Sequence, residues 1–193
     1  MTAQTYPLRR EDGYSLIEMM FTVGIMGVLA AMAVVQIGSS QAAAKGDGAM
    51  RVVLSQMNQA RQMAITQRRY MRVTFTSPST VNIVREDTTS TTTTLSSVPF
   101  EGGAKFGLVT GLPDTPDAFG KASSTYFTSA AGTVTTVKFA PDGTLVDSAG
   151  LTANGSVFTT LPNVVLSARA VTVLGSTGRV RGYRWDGSGW KVV

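Results

Sequence analysis

From Tyr14 to Ala44 the chain carries a single charge, Glu18, close to the start of a segment long enough to cross a bilayer. Residues 16–35 are about 20 mostly apolar positions, the length a helix needs to span a hydrocarbon core of roughly 30 Å. An isolated carboxylate at membrane depth is costly and marks a functional position. The segment contains no cation, so any partner must come from outside it. Upstream, Leu8-Arg9-Arg10-Glu11-Asp12-Gly13 is short and polar, and it ends in glycine where the apolar run Tyr14-Ser15-Leu16-Ile17-Glu18-Met19-Met20 begins. Cleavage after Gly13 would create an α-amine on Tyr14, four residues before the acid.

Gly13-Tyr14-Ser15-Leu16-Ile17-Glu18 resembles the processing site of type IV pilins and of the pseudopilins of type II secretion. The resemblance implies cleavage between Gly13 and Tyr14 by a prepilin peptidase, methylation of the new amine, and pairing of Glu18 with the amine of a neighbouring subunit. Two features depart from the commonest pattern. The first mature residue is Tyr14 rather than Phe, and Glu11 and Asp12 offset Arg9 and Arg10, which weakens the positive-inside signal. A secretory signal peptide would have a shorter apolar core, of about 7 to 15 residues, and a cut after it. A plain membrane anchor would leave Glu18 unpaired in lipid.

With 193 residues there is room behind this segment for one domain of ordinary size. The chain has no Cys, so packing and sheet pairing alone must hold that domain. It has no His, which removes the usual general base and the commonest metal ligand. No paired catalytic acids, Gly-rich phosphate loop or nucleophile with a base stands out. The chain therefore reads as a non-enzyme with no cofactor and no metal. Asp114, Asp117, Asp142 and Asp147 follow no calcium-loop spacing.

Past the apolar segment, Met50, Val53, Met57, Ala60 and Ala64 keep a 3-4-3-4 spacing that places them on one helical stripe. Arg51, Ser55, Asn58, Gln59, Arg61 and Gln62 cover the other side. Lys45-Gly46-Asp47-Gly48 is the weak point, because each Gly costs about 1 kcal/mol relative to Ala in a helix interior. A helix from Tyr14 to about Thr66 would be about 80 Å long. From Tyr70 the period becomes two: Met71, Val73 and Phe75 alternate with Arg72, Thr74 and Thr76, as in a half-buried strand. A second strand carries Val81 and Ile83. The Thr/Ser run 88–97 is either an edge strand or a loop, and 102–120 reads as a loop. Further strands are expected at 124–128, 133–140, 157–161, 164–167, 170–174, 179–185 and 190–193. Pro141-Asp142-Gly143 and Asp186-Gly187-Ser188-Gly189 have turn chemistry. Asn154-Gly155-Ser156 fits a glycosylation pattern but is first a turn signal. Trp185 and Trp190 read as packing residues of a hairpin.

The expected fold is α+β: a long N-terminal helix, transmembrane in its first half, packed on a mostly antiparallel β-sheet. The expected organisation is a leader at 1–13, a transmembrane and assembly half at 14–38, an amphipathic half at 39–68 and a periplasmic β-rich domain at 69–193. The helix end around Ala60-Arg61-Gln62-Met63-Ala64, with the runs 137–144 and 171–181, resembles the GspH/FimT-type pseudopilins. That resemblance implies an inner-membrane protein with a single span. Its partners would be other pilins or pseudopilins, the prepilin peptidase, an inner-membrane assembly platform and a cytoplasmic ATPase.

The net charge of +5 is uneven. Cations gather at 45–72 and at the C-terminal end, while 73–168 is net acidic. Arg179, Arg181 and Tyr183 share one face of a strand, where two guanidiniums and an aromatic ring would suit phosphates and a base. Gly178-Arg179-Val180-Arg181 also resembles the Gly-Arg-x-Arg signature of FimT-type minor pilins, which implies DNA capture during natural transformation. The candidate set is Arg169, Arg179, Arg181, Tyr183, Arg184 and Lys191. The plainer reading is that arginines on an exposed strand discourage edge pairing. A minor pilin of a secretion or pilus filament, a DNA-binding relative, and an anchored domain that never polymerises thus remain as three functions.

Overall fold

Among the described residues, the period change at Tyr70 separates one long helix from twelve strands. The computed structural model describes residues 13–87 and 91–193, and the side chains of all of these but 34–39. The expected leader (1–12) and Thr88 to Ser90 lie outside the described residues. Helix α1 spans Leu16–Gln67 without interruption, through the Gly46 and Gly48 positions. Residues 1–38 and 39–193 form two separate units.

In the first unit, α1 presents its apolar side chains outward all round, among them Leu16, Ile17, Phe21, Val28 and Met32. Leu16–Ala33 has a mean hydropathy of 2.0 with no part of it buried, and is long and apolar enough to cross a membrane. A helix apolar all round needs a non-aqueous surrounding.

The second unit holds the core. Met50, Val53, Met57, Ala60 and Ala64 are fully buried, as the 3-4-3-4 spacing predicts. Each large member of the stripe contributes about 1.5–3 kcal/mol on burial. They pack on two sheets where the sequence suggests one. The first sheet comprises β1 (Met71–Thr76), β2 (Thr80–Glu86), β3 (Thr92–Pro99), β7 (Val137–Phe139) and β8 (Leu145–Val146), in the order β3-β2-β1-β7-β8. The second comprises β5 (Thr125–Ser129), β6 (Gly132–Val134), β9 (Asn154–Leu161), β10 (Val164–Leu174), β11 (Arg179–Trp185) and β12 (Trp190–Val192). Its order is β12-β11-β10-β9-β5-β6, with β4 (Lys105–Phe106) on β9. Every pairing is antiparallel. One core cluster draws Val53 and Met57 from α1, Val73 and Phe139 from the first sheet, and Val157 and Val171 from the second. Phe75 of β1 stacks on Phe127 of β5 at 5.8 Å, joining the sheets through their aromatic rings.

Several boundaries differ from expectation. The expected strand 133–140 is two strands, β6 and β7, in different sheets. The two expected at 164–167 and 170–174 are one strand, β10, with an irregularity between Val164 and Arg169. Asn154-Gly155 is no turn: it opens β9, and a Cβ on Gly155 would strike the Phe127 ring. The described part of the Thr/Ser run is the edge strand β3. Pro141-Asp142-Gly143 and the Asp186–Gly189 segment do join neighbouring strands, with Asp142 and Asp186 accepting the backbone N–H groups of Thr144 and Ser188.

Candidate functional site

The first candidate site is the start of α1. Ser15 precedes the helix, and its carbonyl accepts the N–H groups of Glu18 at 3.0 Å and Met19 at 3.1 Å. That places Glu18 three residues into the helix, where the N-terminal end of the dipole favours an acid. Ser15-x-x-Glu18 also has capping-box spacing. The contact formed, however, is through the Ser15 carbonyl rather than its hydroxyl. The Glu18 side chain is exposed and makes no hydrogen bond or ion pair among the described residues. Gly13 and Tyr14 lie just outside the helix, and Tyr14 is 81% exposed. The Gly13–Tyr14 peptide bond and the Glu18 carboxylate are therefore both exposed.

The C-terminal basic strand is the second candidate, and tertiary contacts divide its residues. Gly182 of β11 faces α1, since a Cβ there would lie 3.0–3.1 Å from Leu54 and Met50. Arg179, Arg181 and Tyr183 point to the opposite face by strand alternation. The loop before β5 covers part of that face. Asp117 from this loop accepts the hydroxyl protons of Tyr183 at 2.8 Å and Thr172 at 2.6 Å, and lies 3.6 Å from the Arg181 guanidinium. Tyr183 is 1% exposed, so its ring is no stacking platform. Burial, then its bond to Asp117, pushes the Tyr183 phenol up. Tyr183 instead packs with Phe158, Ala170 and Trp190. Trp190 meets Trp185 edge-on at 5.5 Å and donates its indole N–H to the Pro113 carbonyl, as expected of hairpin packing residues.

Arg169 departs from expectation too, since it is no surface cation. Its side chain is wholly buried on the α1 face of β10, with Nε donating to Asp47 at 2.5 Å. Nη1 donates to the carbonyls of Leu166 and Ala168, and Nη2 to that of Ala43. No ligand can reach it without unfolding that contact. Arg179 and Arg184 remain exposed, and Lys191 stands 3.7 Å from Asp186. Arg184 and Lys191 are cross-strand partners on the α1 face, so they do not join Arg179 and Arg181. The C-terminal cations therefore meet Asp47, Asp117 and Asp186, where sequence proximity offers Asp186 alone.

The loop acids serve local structure. Asp147 is buried and accepts from the Ser129 hydroxyl and the N–H groups of Ala149 and Leu151. The Ser129 bond and those backbone bonds outweigh burial and hold its carboxyl below the ordinary range. Asp114 accepts from the Thr115 and Gly120 N–H groups. No group of three metal-ligating side chains occurs among the described residues.

Residues 8–34 match the family model described as the prokaryotic N-terminal methylation motif, a span that includes Gly13, Tyr14 and Glu18. No curated protein matches the chain. Among solved structures, the chain is similar to the type IV minor pilin FimU of Pseudomonas aeruginosa (strain PAO1). The two share 13% identity over 75% of this chain and 91% of that one, with a TM-score of 0.44.

Proposed function

We propose that the chain is a minor pilin or pseudopilin, a structural subunit rather than an enzyme, built into the filament of a type IV pilus or a type II secretion system. A prepilin peptidase cuts between Gly13 and Tyr14, and the Tyr14 amine is methylated. The apolar half of α1 holds the product in the bacterial inner membrane with the residues beyond 38 in the periplasm, until an assembly platform moves it into the filament. There Glu18 pairs with the terminal amine of a neighbouring subunit. One observation carries the reading: within a matched methylation motif, the exposed apolar stretch Leu16–Ala33 bears one charge, Glu18, and that charge has no partner among the described residues. Unpaired, such an acid is a liability in lipid; paired with an incoming amine, it sets the register of assembly.

The test is mass spectrometry of the chain co-produced with a prepilin peptidase. The expected product begins at Tyr14 and carries one added methyl group. Glu18→Ala is expected to leave cleavage intact and to abolish recovery in sheared filaments. Retention of the first thirteen residues in the wild type refutes the reading.

DNA capture by the C-terminal strand is the alternative, and it ranks second. Of its six residues, Arg169 and Tyr183 are buried and Arg181 lies against Asp117, leaving Arg179, Arg184 and Lys191 on two different faces.

A further inference from the structure

A cleft lined largely by charged side chains lies where α1 ends, not on the C-terminal strand. It has a volume of about 560 Å³, and its lining includes Arg68, Arg69, Tyr70, Arg72, Glu86 and Lys138. Within it the charges do not balance. Glu86 receives Arg72 through Nε at 3.0 Å and Nη2 at 2.5 Å, and Lys138 at 3.1 Å. Asp87 is taken by Arg85 at 2.5 Å. Arg69 donates to the Asp87 backbone carbonyl, a neutral acceptor. Arg68 makes no hydrogen bond or ion pair among the described residues. Four cations of the lining, Arg68, Arg69, Arg72 and Lys138, thus face two carboxylates, one of which is also held by Arg85 from outside the cleft.

The backbone singles out the same residue. Arg68 has φ of 50° at the position that ends α1, where the Arg69 N–H returns to the Ala64 carbonyl. Glycine is the usual occupant of that left-handed position, because a side chain there is strained. Strain retained around an unpartnered guanidinium points to a use for that side chain.

We infer that this cleft docks an acidic segment of a neighbouring filament subunit, with a carboxylate of that segment seated between Arg68 and Arg69. The inference rests on the filament reading above. Guanidinium forks match carboxylates bidentately, which favours this partner. Glu86 and Asp87 line the same cleft and would meet the closely spaced phosphates of a nucleic acid, whereas a single carboxylate can sit clear of them. The hydroxyls of Thr136 and Ser148 on the lining suit the backbone of a peptide.

The test uses the full-length processed chain in detergent and a fluorescent octaglutamate peptide, with an eight-residue oligothymidylate and inorganic phosphate as competitors. Octaglutamate is expected to bind, and salt to weaken it. Arg68→Gly should weaken binding roughly tenfold while the unfolding temperature stays level or rises, because glycine relieves the left-handed strain. Arg68→Lys should recover part of the loss, and Arg184→Gln, outside the cleft, should change nothing. Unchanged binding in Arg68→Gly overturns the inference. So does tighter binding of oligothymidylate through Arg68, or equal competition by phosphate. Intact leader cleavage and Glu18-dependent assembly with no octaglutamate binding would sink this inference alone. Binding without either would sink the filament reading instead.

Discussion

Removing Asp47 strands a buried guanidinium, and the consequence has a sign that ordinary packing cannot mimic. Arg169 is 0% exposed and Asp47 27% exposed, joined at 2.5 Å. Breaking a buried pair from one side costs about 3–5 kcal/mol, because the other charge stays in a poor solvent. Two features reduce that here. Arg169 keeps the carbonyls of Ala43, Leu166 and Ala168, and Asp→Ala within a helix recovers about 0.5 kcal/mol of propensity. Asp47→Ala should therefore cost about 2 kcal/mol, equivalent to roughly 4–8 °C in the unfolding midpoint of a unit this size. Arg169→Met fills similar space without a charge, and the Asp47 it leaves behind can hydrate. The double variant Asp47→Ala/Arg169→Met should then be more stable than Asp47→Ala alone. The assay is urea unfolding of the full chain in mild detergent, followed by fluorescence of Trp185 and Trp190. If the two substitutions simply add, the buried charge is not what makes Asp47 necessary, and the reasoning fails.

Two glycines in one helix should respond in opposite directions. A Cβ on Gly46 would lie 2.5 Å from the Ser167 carbonyl oxygen, whereas one on Gly48 meets nothing within 4 Å. Gly46→Ala is expected to destabilise by about 1–3 kcal/mol through overpacking, and Gly48→Ala to stabilise by about 0.5–1 kcal/mol; the same urea titration reads both. Acid sensitivity should follow the lowered carboxyls. Burial raises Glu86, but Arg72 and Lys138 outweigh it and hold it low, while bonds from Ser188 and Gly189 take Asp186 down to about 2. Groups lowered on folding stabilise above their unfolded values, and that contribution is lost as pH falls through the folded ones. The unfolding midpoint should thus hold from pH 7 to about 5 and fall from about 4.5 towards 2. Glu86→Gln should flatten part of that fall in a fluorescence-monitored pH titration.

The sequence is legible wherever one period runs long enough. The stripe from Met50 to Ala64 repeats over four turns, and Met71 to Phe75 alternates cleanly, so both elements could be placed from residue types. The β8 strand has two residues and no period to read. The break between β6 and β7 falls at Thr135-Thr136, good strand formers that hide it. Gly155 resembles half of a turn, but its missing side chain makes room for Phe127, a demand set by a residue 28 positions away in the chain. The Asp47–Arg169 pair did leave a trace. Asp47 lies three residues before Met50 on the buried stripe, and Arg169 sits between two alanines inside an apolar strand. Each is a charge where the local pattern calls for a hydrophobe, and each is the other's explanation.

Net charge is a poor guide to what this surface attracts, because pairing in space redistributes it. Counted along the chain, the C-terminal end shows an excess of cations as clear as that around the end of α1. The fold brings Asp47 from α1 to Arg169 of β10 and Asp117 from the loop before β5 to Arg181 of β11, offsetting part of what the count suggests. At the end of α1 the acids of β2 and its margin are both used, and Arg68 is still left without a partner among the described residues. At physiological ionic strength charges separated by more than about 8 Å are largely screened from one another. Only cations sharing one cleft can then act on one ligand. Arg68 and Arg69 are adjacent in such a cleft, whereas Arg179 and Arg184 project from opposite faces of β11. A partner selected by charge should therefore find the helix end before the C-terminal strand, although the sequence displays its basic motif at the latter.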